Sequence, residues 1–295
     1  MNDVTLPLGR GAEAVVNWLT DAAGGLFDVL STLFKGAYAG LDWLLATPPF
    51  WLVIVVLVAL AWLAKGWKLA LGTAIGLGVI VSVGQWGNAM DTLALVLLAS
   101  IIALLIAIPL GILAARNDTA SKIIRPLLDF LQTMPAFVYL IPALMFFGVG
   151  VVPGIVATIV FALAPGVRLT ELGIRGVDPE VVEAGYAFGS KPGRILRQIQ
   201  LPLALPSIMA GVNQVIMLSL SMVVIAGMVG AGGLGGEVVK ALNRIDIGLG
   251  FEAGVSVVIL AMILDRTTGA LGSLSTRKRK RSAEAAPAAT ASAAA

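Results

Sequence analysis

Residues 168–206 read RLTELGIRGVDPEVVEAGYAFGSKPGRILRQIQLPLALP, a polar stretch in a chain that is mostly apolar. Uncharged sequence lies on both sides, Phe130 to Val167 before it and Gln198 to Gly236 from its last part onward. Each flank is long enough to cross a bilayer core of about 30 Å. The stretch therefore reads as a loop in water between two membrane spans, carrying its own helix signals. Asp178 is placed to cap a helix and Pro179 suits the first helical position, where no N–H is needed. Glu180 and Glu183 sit in the first turns, where carboxylates favour the helix dipole. Gly189 ends that helix, Ser190 and Pro192 open a second short one, and Pro202 with Pro206 mark re-entry into the membrane.

The rest of the composition agrees. Of 295 residues, 58% are hydrophobic and 13% charged, with mean hydropathy +0.96. A soluble domain carries nearly twice that charge fraction, so the chain reads as an all-α polytopic membrane protein. It has neither Cys nor His, which removes disulfides, thiol nucleophiles, histidine bases and Cys/His zinc sites. A net charge of +3, much of it in one tail run, gives a nucleic-acid partner no support.

Outward from the loop, hydropathy predicts about seven spans of roughly 20 residues: 50–64, 69–86, 92–115, 126–147, 152–167, 205–229 and 248–271. Gly72 and Gly76 in the second form a small-xxx-small pair. Residues 1–47 lack the plan of a signal peptide; their helical apolar spacing predicts an amphipathic extracytoplasmic segment, lying on the membrane or packed on the spans. Residues 48–272 form the transmembrane domain, with the cytoplasmic loop taken as 168–204. Residues 273–295 form a tail, basic at Arg277–Arg281 and low in complexity after it. Basic loops on one side put the N-terminus outside and the C-terminus in the cytoplasm of a multi-pass protein of the bacterial plasma membrane.

Two phosphate-binding motifs bear on function. Residues 230–235, GAGGLG, match the glycine fingerprint of dinucleotide sites, but that fingerprint works between a strand and a helix. After a membrane span it reads as a flexible turn packed on another segment. No P-loop occurs. The chain is read as no enzyme, with no metal or cofactor of its own; energy from ATP would require a separate ATPase, which would carry the ATP and Mg. The loop would be the surface on which that ATPase acts, a lever that biases a two-state bundle. Val182, Tyr186 and Phe188 would sit in a groove on it, with Glu183 and the basic residues fixing register.

Polar groups inside spans are candidates for a solute path: Gln132 and Thr133 beside Pro135, and Asn213, Gln214, Met217 and Ser221 in the sixth span. Interhelical bonding is the competing reading for each. Phe137, Tyr139, Phe146 and Phe161 could face a methylated ammonium by cation–π attraction or simply pack the bundle.

Glu183-Ala184-Gly185, three residues, Gly189, nine residues, Ile199, one residue, Leu201-Pro202 resembles the EAA loop of permease subunits in binding-protein-dependent ABC importers. Gly185 stands where the family usually has a second Ala. The resemblance extends over residues 48–272. Segments 123–150, 201–235 and 263–272 are similar to the permeases of glycine betaine/proline betaine importers, with choline permeases as relatives. It implies a MetI-like fold and an ATPase-coupling set of Glu183, Ala184, Gly185, Tyr186, Phe188, Gly189 and Pro202. It also implies two permease copies with two ATP-binding subunits, and an extracytoplasmic substrate-binding protein on a separate chain. A permease for choline or another small solute, and an ion-coupled transporter or channel acting alone, are the alternatives.

Overall fold

The computed structural model describes the backbone of residues 8–292 and the side chains of residues 9–270, apart from Ala12 and Val15. All its elements are helical: α1 (Leu8–Ala46), α2 (Phe50–Lys65), α3 (Trp67–Ser82), α4 (Trp86–Arg116), α5 (Asp118–Thr133), α6 (Ala136–Phe147), α7 (Val151–Arg175), α8 (Pro179–Ala187), α9 (Pro192–Ile195), a π-helical turn (Leu196–Gln200), α10 (Leu201–Ser221), α11 (Val223–Met228), α12 (Gly233–Arg244) and α13 (Ile247–Ser292). The basic run and low-complexity tail fall beyond Ala270, outside the described side chains.

Among the described residues, four helices are long and apolar enough to cross a bilayer unbroken: α4, α7, the run Pro192–Met228 and Ile247–Ala270. Two bent pairs, counted as one span each, bring the number among the described residues to six, against the seven or so expected, and α3 is a shorter apolar helix beside them. The expected span 126–147 is instead α5 and α6, which meet at 99°. Pro135 has no N–H to continue a helix and pushes Met134 to an extended conformation, at φ −71° and ψ 136°. The expected span 69–86 is the 16-residue α3, and Trp86 begins α4 rather than ending it.

The core forms where α4, α7 and α10 meet. Lipid tails are as apolar as leucine, so such helices associate by close packing of small residues. Gly166 shows this: a Cβ there would lie 2.8 Å from Ala107 Cβ and 3.0 Å from Val215 Cγ2. Ala99, Ala103 and Ala162 fill the same junction with Ile155 and Val215. Of the glycine pair in α3, Gly76 abuts Ile259 of α13, whereas Gly72 faces open space.

The first helix belongs to this bundle. Phe34, Tyr38 and Leu41 pack on the α4/α7 core, and Phe27 stacks on Phe146 of α6 with centroids 4.5 Å apart. Its other face, with Trp18, Leu26, Val29 and Leu33, is exposed. The packed reading of the N-terminal segment therefore describes the face that carries Phe27, Phe34, Tyr38 and Leu41.

The glycine-rich stretch 230–236 turns from α11 into α12 beside no strand. Gly230, Gly232 and Gly233 have φ of +85°, +76° and +60°, a region that favours residues without a Cβ. The Leu234 N–H donates to Thr92 Oγ1 at 2.9 Å, pinning the turn to the first part of α4.

Candidate coupling element and translocation path

The coupling element follows its local signals. Asp178 Oδ1 accepts the Glu180 N–H at 3.0 Å, and Pro179 occupies the first turn of α8. The helix ends as Phe188 N–H donates to Ala184 O, Gly189 N–H to Tyr186 O and Ser190 N–H to Gly185 O. Gly189 takes φ +73°, the left-handed closure that consumes the last carbonyls of a helix.

The two faces of α8 differ. Gly185 is buried, and a Cβ on it would meet Ile199 Cδ1 at 2.7 Å and Ile195 Cγ1 at 3.5 Å. The departure from the Glu-Ala-Ala pattern is therefore at a packing contact, where a missing methyl lets α8 lie close on the next turns. Outward, Glu183, Ala184, Tyr186 and Phe188 are exposed, Phe188 at 90%. An aromatic ring held out on a capped helix is a ready anchor for a partner's groove. Val182 is half-buried, while its neighbour Val181 is exposed.

Both ends of the element are more helical than the predicted loop. At the far end there is no re-entry break: α9, the π turn, α10 and α11 form one run from Pro192 to Met228. Pro202 lies in the first turn of α10 with its side exposed. The π turn precedes it, with Leu201 N–H donating to Leu196 O; single π turns occur frequently at functional sites. At the near end, Arg168–Arg175 is not loop but the last turns of α7, so the linker to α8 begins only at Gly176.

That correction exposes residues the sequence reading passed over. Glu171 is 2% exposed. Its carboxylate accepts from Ser121 Oγ at 2.7 Å and from Arg125 Nη2 at 2.9 Å, and Arg175 Nε lies 3.1 Å away. Arg175 also donates to Asp118 Oδ1 at 2.7 Å and to the Ala114 carbonyl at 2.8 Å, and Arg168 pairs with Asp129. A buried charge persists only when paired and hydrogen-bonded. This cluster ties α5 and the end of α4 to the base of α7, just before the coupling element. Two sequence signals point to it: no proline between Pro165 and Pro179, and Glu171–Arg175 at i, i+4.

The path candidates fall into separate groups. Asn213 links helices: its Nδ2 donates to Asp265 Oδ1 at 2.9 Å, and Thr268 Oγ1 donates to its Oδ1 at 2.6 Å. Gln214 and Ser221 are exposed and Met217 half-buried, on one stripe of α10 at i, i+3, i+7. Gln132 and Thr133 are exposed at the end of α5, where Thr133 Oγ1 bonds Phe130 O at 3.0 Å. No hydrogen bond among the described residues joins the α5 and α10 groups. Of the aromatics, Phe146 stacks on Phe27, Tyr139 donates to Leu131 O and lies near Phe161, and Phe137 is exposed.

Residues 107–273 match the family described as the binding-protein-dependent transport system inner membrane component. The chain belongs to that family. It is 48% identical over 91% of its length to the glycine betaine/carnitine transport permease protein GbuB of Listeria monocytogenes, covering 96% of that protein. It is 47% identical over 87% of its length to the glycine betaine/proline betaine permease ProW of Escherichia coli, covering 74% of it. The OpuAB glycine betaine permease of Bacillus subtilis is 46% identical over 89% of this chain and 93% of its own. Among solved structures, an inward-facing MetNI methionine ABC transporter chain superposes with a TM-score of 0.59, at 21% identity, over 63% of this chain and 93% of that one. That likeness concerns the fold. The permease is thus the membrane part of an ABC transporter, which works with an ATPase and a substrate-binding protein.

Proposed function

We propose that this permease imports a small quaternary ammonium solute of the glycine betaine/proline betaine class. Two copies pair in the membrane, each with an ATP-binding subunit, and a separate extracytoplasmic binding protein delivers the solute. ATP and Mg belong to the ATPase. The observation that carries the coupling role is the build of residues 178–202. A capped helix holds Phe188 and Tyr186 in solvent and, after the turn at Gly189, is followed by a run from Pro192 to Met228 that continues unbroken into a membrane-crossing helix. Closure of an ATPase on α8 then moves α10 as a lever, because Gly185 of α8 packs directly on Ile195 and Ile199 of the same continuous run. The solute class is supported by relatives at 46–48% identity over nearly the whole chain.

The exposed stripe of Gln214, Met217 and Ser221 suits passage of a zwitterion. It carries no charge to trap one, and α10 as a whole has none. Selectivity then rests mainly on the binding protein. The N-terminus faces outside and the coupling element the cytoplasm of a bacterial cell.

The test is reconstitution of the full chain with its ATPase and binding protein in vesicles. Uptake of radiolabelled betaine should require ATP and collapse with Glu183→Lys. Phe188→Ala should leave the fold intact but weaken ATPase co-purification at least about tenfold. Uptake driven by an ion gradient without the ATPase would overturn the reading. Uptake of choline but not betaine would move the substrate to the choline branch.

A further inference from the structure

Where α4 ends and the run Pro192–Met228 begins, the surface holds a cleft of about 430 Å³ lined by Arg116, Gly193, Arg194, Leu196, Arg197 and Gln198. The three guanidiniums take part in no ion pair or hydrogen bond among the described residues, unlike those of Arg125, Arg168 and Arg175 nearby in the fold. Three cations converge on one cleft with no anion to offset their repulsion. We propose that this cleft binds the phosphate headgroup of an anionic membrane phospholipid.

The position of the cleft selects a lipid over a soluble anion. Arg116 is the last residue of a membrane-crossing helix, and the other two arginines lie in the first turns of another. The cleft is therefore at the boundary where a headgroup sits. Below Arg116, the exposed residues of α4 include Ile101, Leu105, Pro109 and Leu113. They recur at i, i+4, i+8 and i+12, with Arg116 at i+15, and so form one stripe on one helix face. The stripe is about 22 Å long at 1.5 Å per residue, which suits an acyl chain laid along it. Leu196 gives the cleft an apolar wall next to the arginines. Guanidinium groups match phosphate oxygens in a bidentate fork, and basic clusters at a membrane face attract anionic lipid. A lipid held here would touch both α4 and the start of the lever helix. The inference does not depend on which solute the permease moves.

The test is native mass spectrometry of the full-length permease in detergent, titrated with phosphatidylglycerol, with phosphatidylcholine, and with inorganic phosphate as the soluble probe. Variants are Arg116→Gln, Arg194→Gln/Arg197→Gln and the triple change. The control, Lys65→Gln/Lys68→Gln/Lys122→Gln, removes the same formal charge elsewhere. Phosphatidylglycerol should be retained over phosphatidylcholine. Retention should weaken roughly fivefold for each arginine removed, with the control unchanged and phosphate unable to compete. Should the triple variant fail to fold, Arg116→Gln, outside the coupling element, carries the test alone. Equal losses in variant and control would overturn the site, since net charge would explain them. Displacement by phosphate with the same arginine dependence would assign the cleft to a soluble anion and overturn the lipid. Unchanged lipid retention with lost ATPase co-purification would overturn it in favour of a protein contact.

Discussion

Arg125 Nη2 of α5 lies 2.9 Å from Glu171 Oε1 of α7, and it joins an exposed guanidinium to a carboxylate that has almost no access to water. With Arg175 as a second cation, the pair locks the amphipathic α5 to the helix that leads into the coupling element.

Arg125→Gln should lower stability by about 1–2 kcal/mol. That is less than for a fully buried pair, since Arg125 is solvated and Ser121 and Arg175 still reach the carboxylate. Glu171→Leu removes the acceptor from three partners at once but leaves no buried charge unpaired, and should cost less than Arg125→Gln combined with Arg175→Gln. Apparent melting temperatures in detergent rank the three.

A second relationship predicts a harsher effect. The backbones of α11 and α12 cross so closely that a Cβ on Gly235 would strike the Val223 carbonyl oxygen, and one on Gly227 would meet Gly235 and the Gly236 nitrogen. The nearest atoms are backbone, which cannot turn aside as a side chain can. Gly235→Ala should cost about 3 kcal/mol or more, read as lost folded yield and a lower melting temperature. Gly236→Ala, which meets nothing within 4 Å, should be neutral or slightly stabilising.

Gly185 offers the opposite case. Its neighbour is the free end of the Ile199 side chain, which can turn away. Gly185→Ala should preserve transport and add up to about 1 kcal/mol of helix propensity. Gly185→Leu would lift α8 from Ile195 and Ile199. With the reconstituted transporter, the Leu variant should hydrolyse ATP with uptake reduced at least several-fold, and the Ala variant should keep the two matched.

The α10 polar residues separate by the same logic. Asn213→Ala breaks the link to Asp265 and Thr268 and should cost about 1–2 kcal/mol, with the solute affinity of uptake unchanged. Gln214→Ala removes an exposed group without a partner among the described residues, and should leave stability within about 0.5 kcal/mol. If the stripe lines the path, its effect appears in uptake kinetics. A melting scan and a betaine concentration series on both variants check the pair.

Local chemistry determined much of this protein without reference to the fold. The Asp178 cap, Pro179 in the first turn and Gly189 at the closure act within a few residues of themselves, and α8 forms where they say. Membrane character follows from composition, because a chain so poor in charge cannot cover itself in water. What tertiary structure decided depends on contacts far apart in the chain. Charged Arg168–Arg175 reads as solvent loop until Asp118, Ser121 and Arg125, some 50 positions earlier, supply the partners that let Glu171 stay buried in a helix. Pro202 and Pro206 read as helix breakers, yet the π turn and the packing of Ala204 and Ile208 against Ile174 carry the run straight through. Pro135, the milder signal, produces the sharp bend. A proline brings the same missing N–H and the same ring in every case; whether the helix survives it is settled by what packs around it.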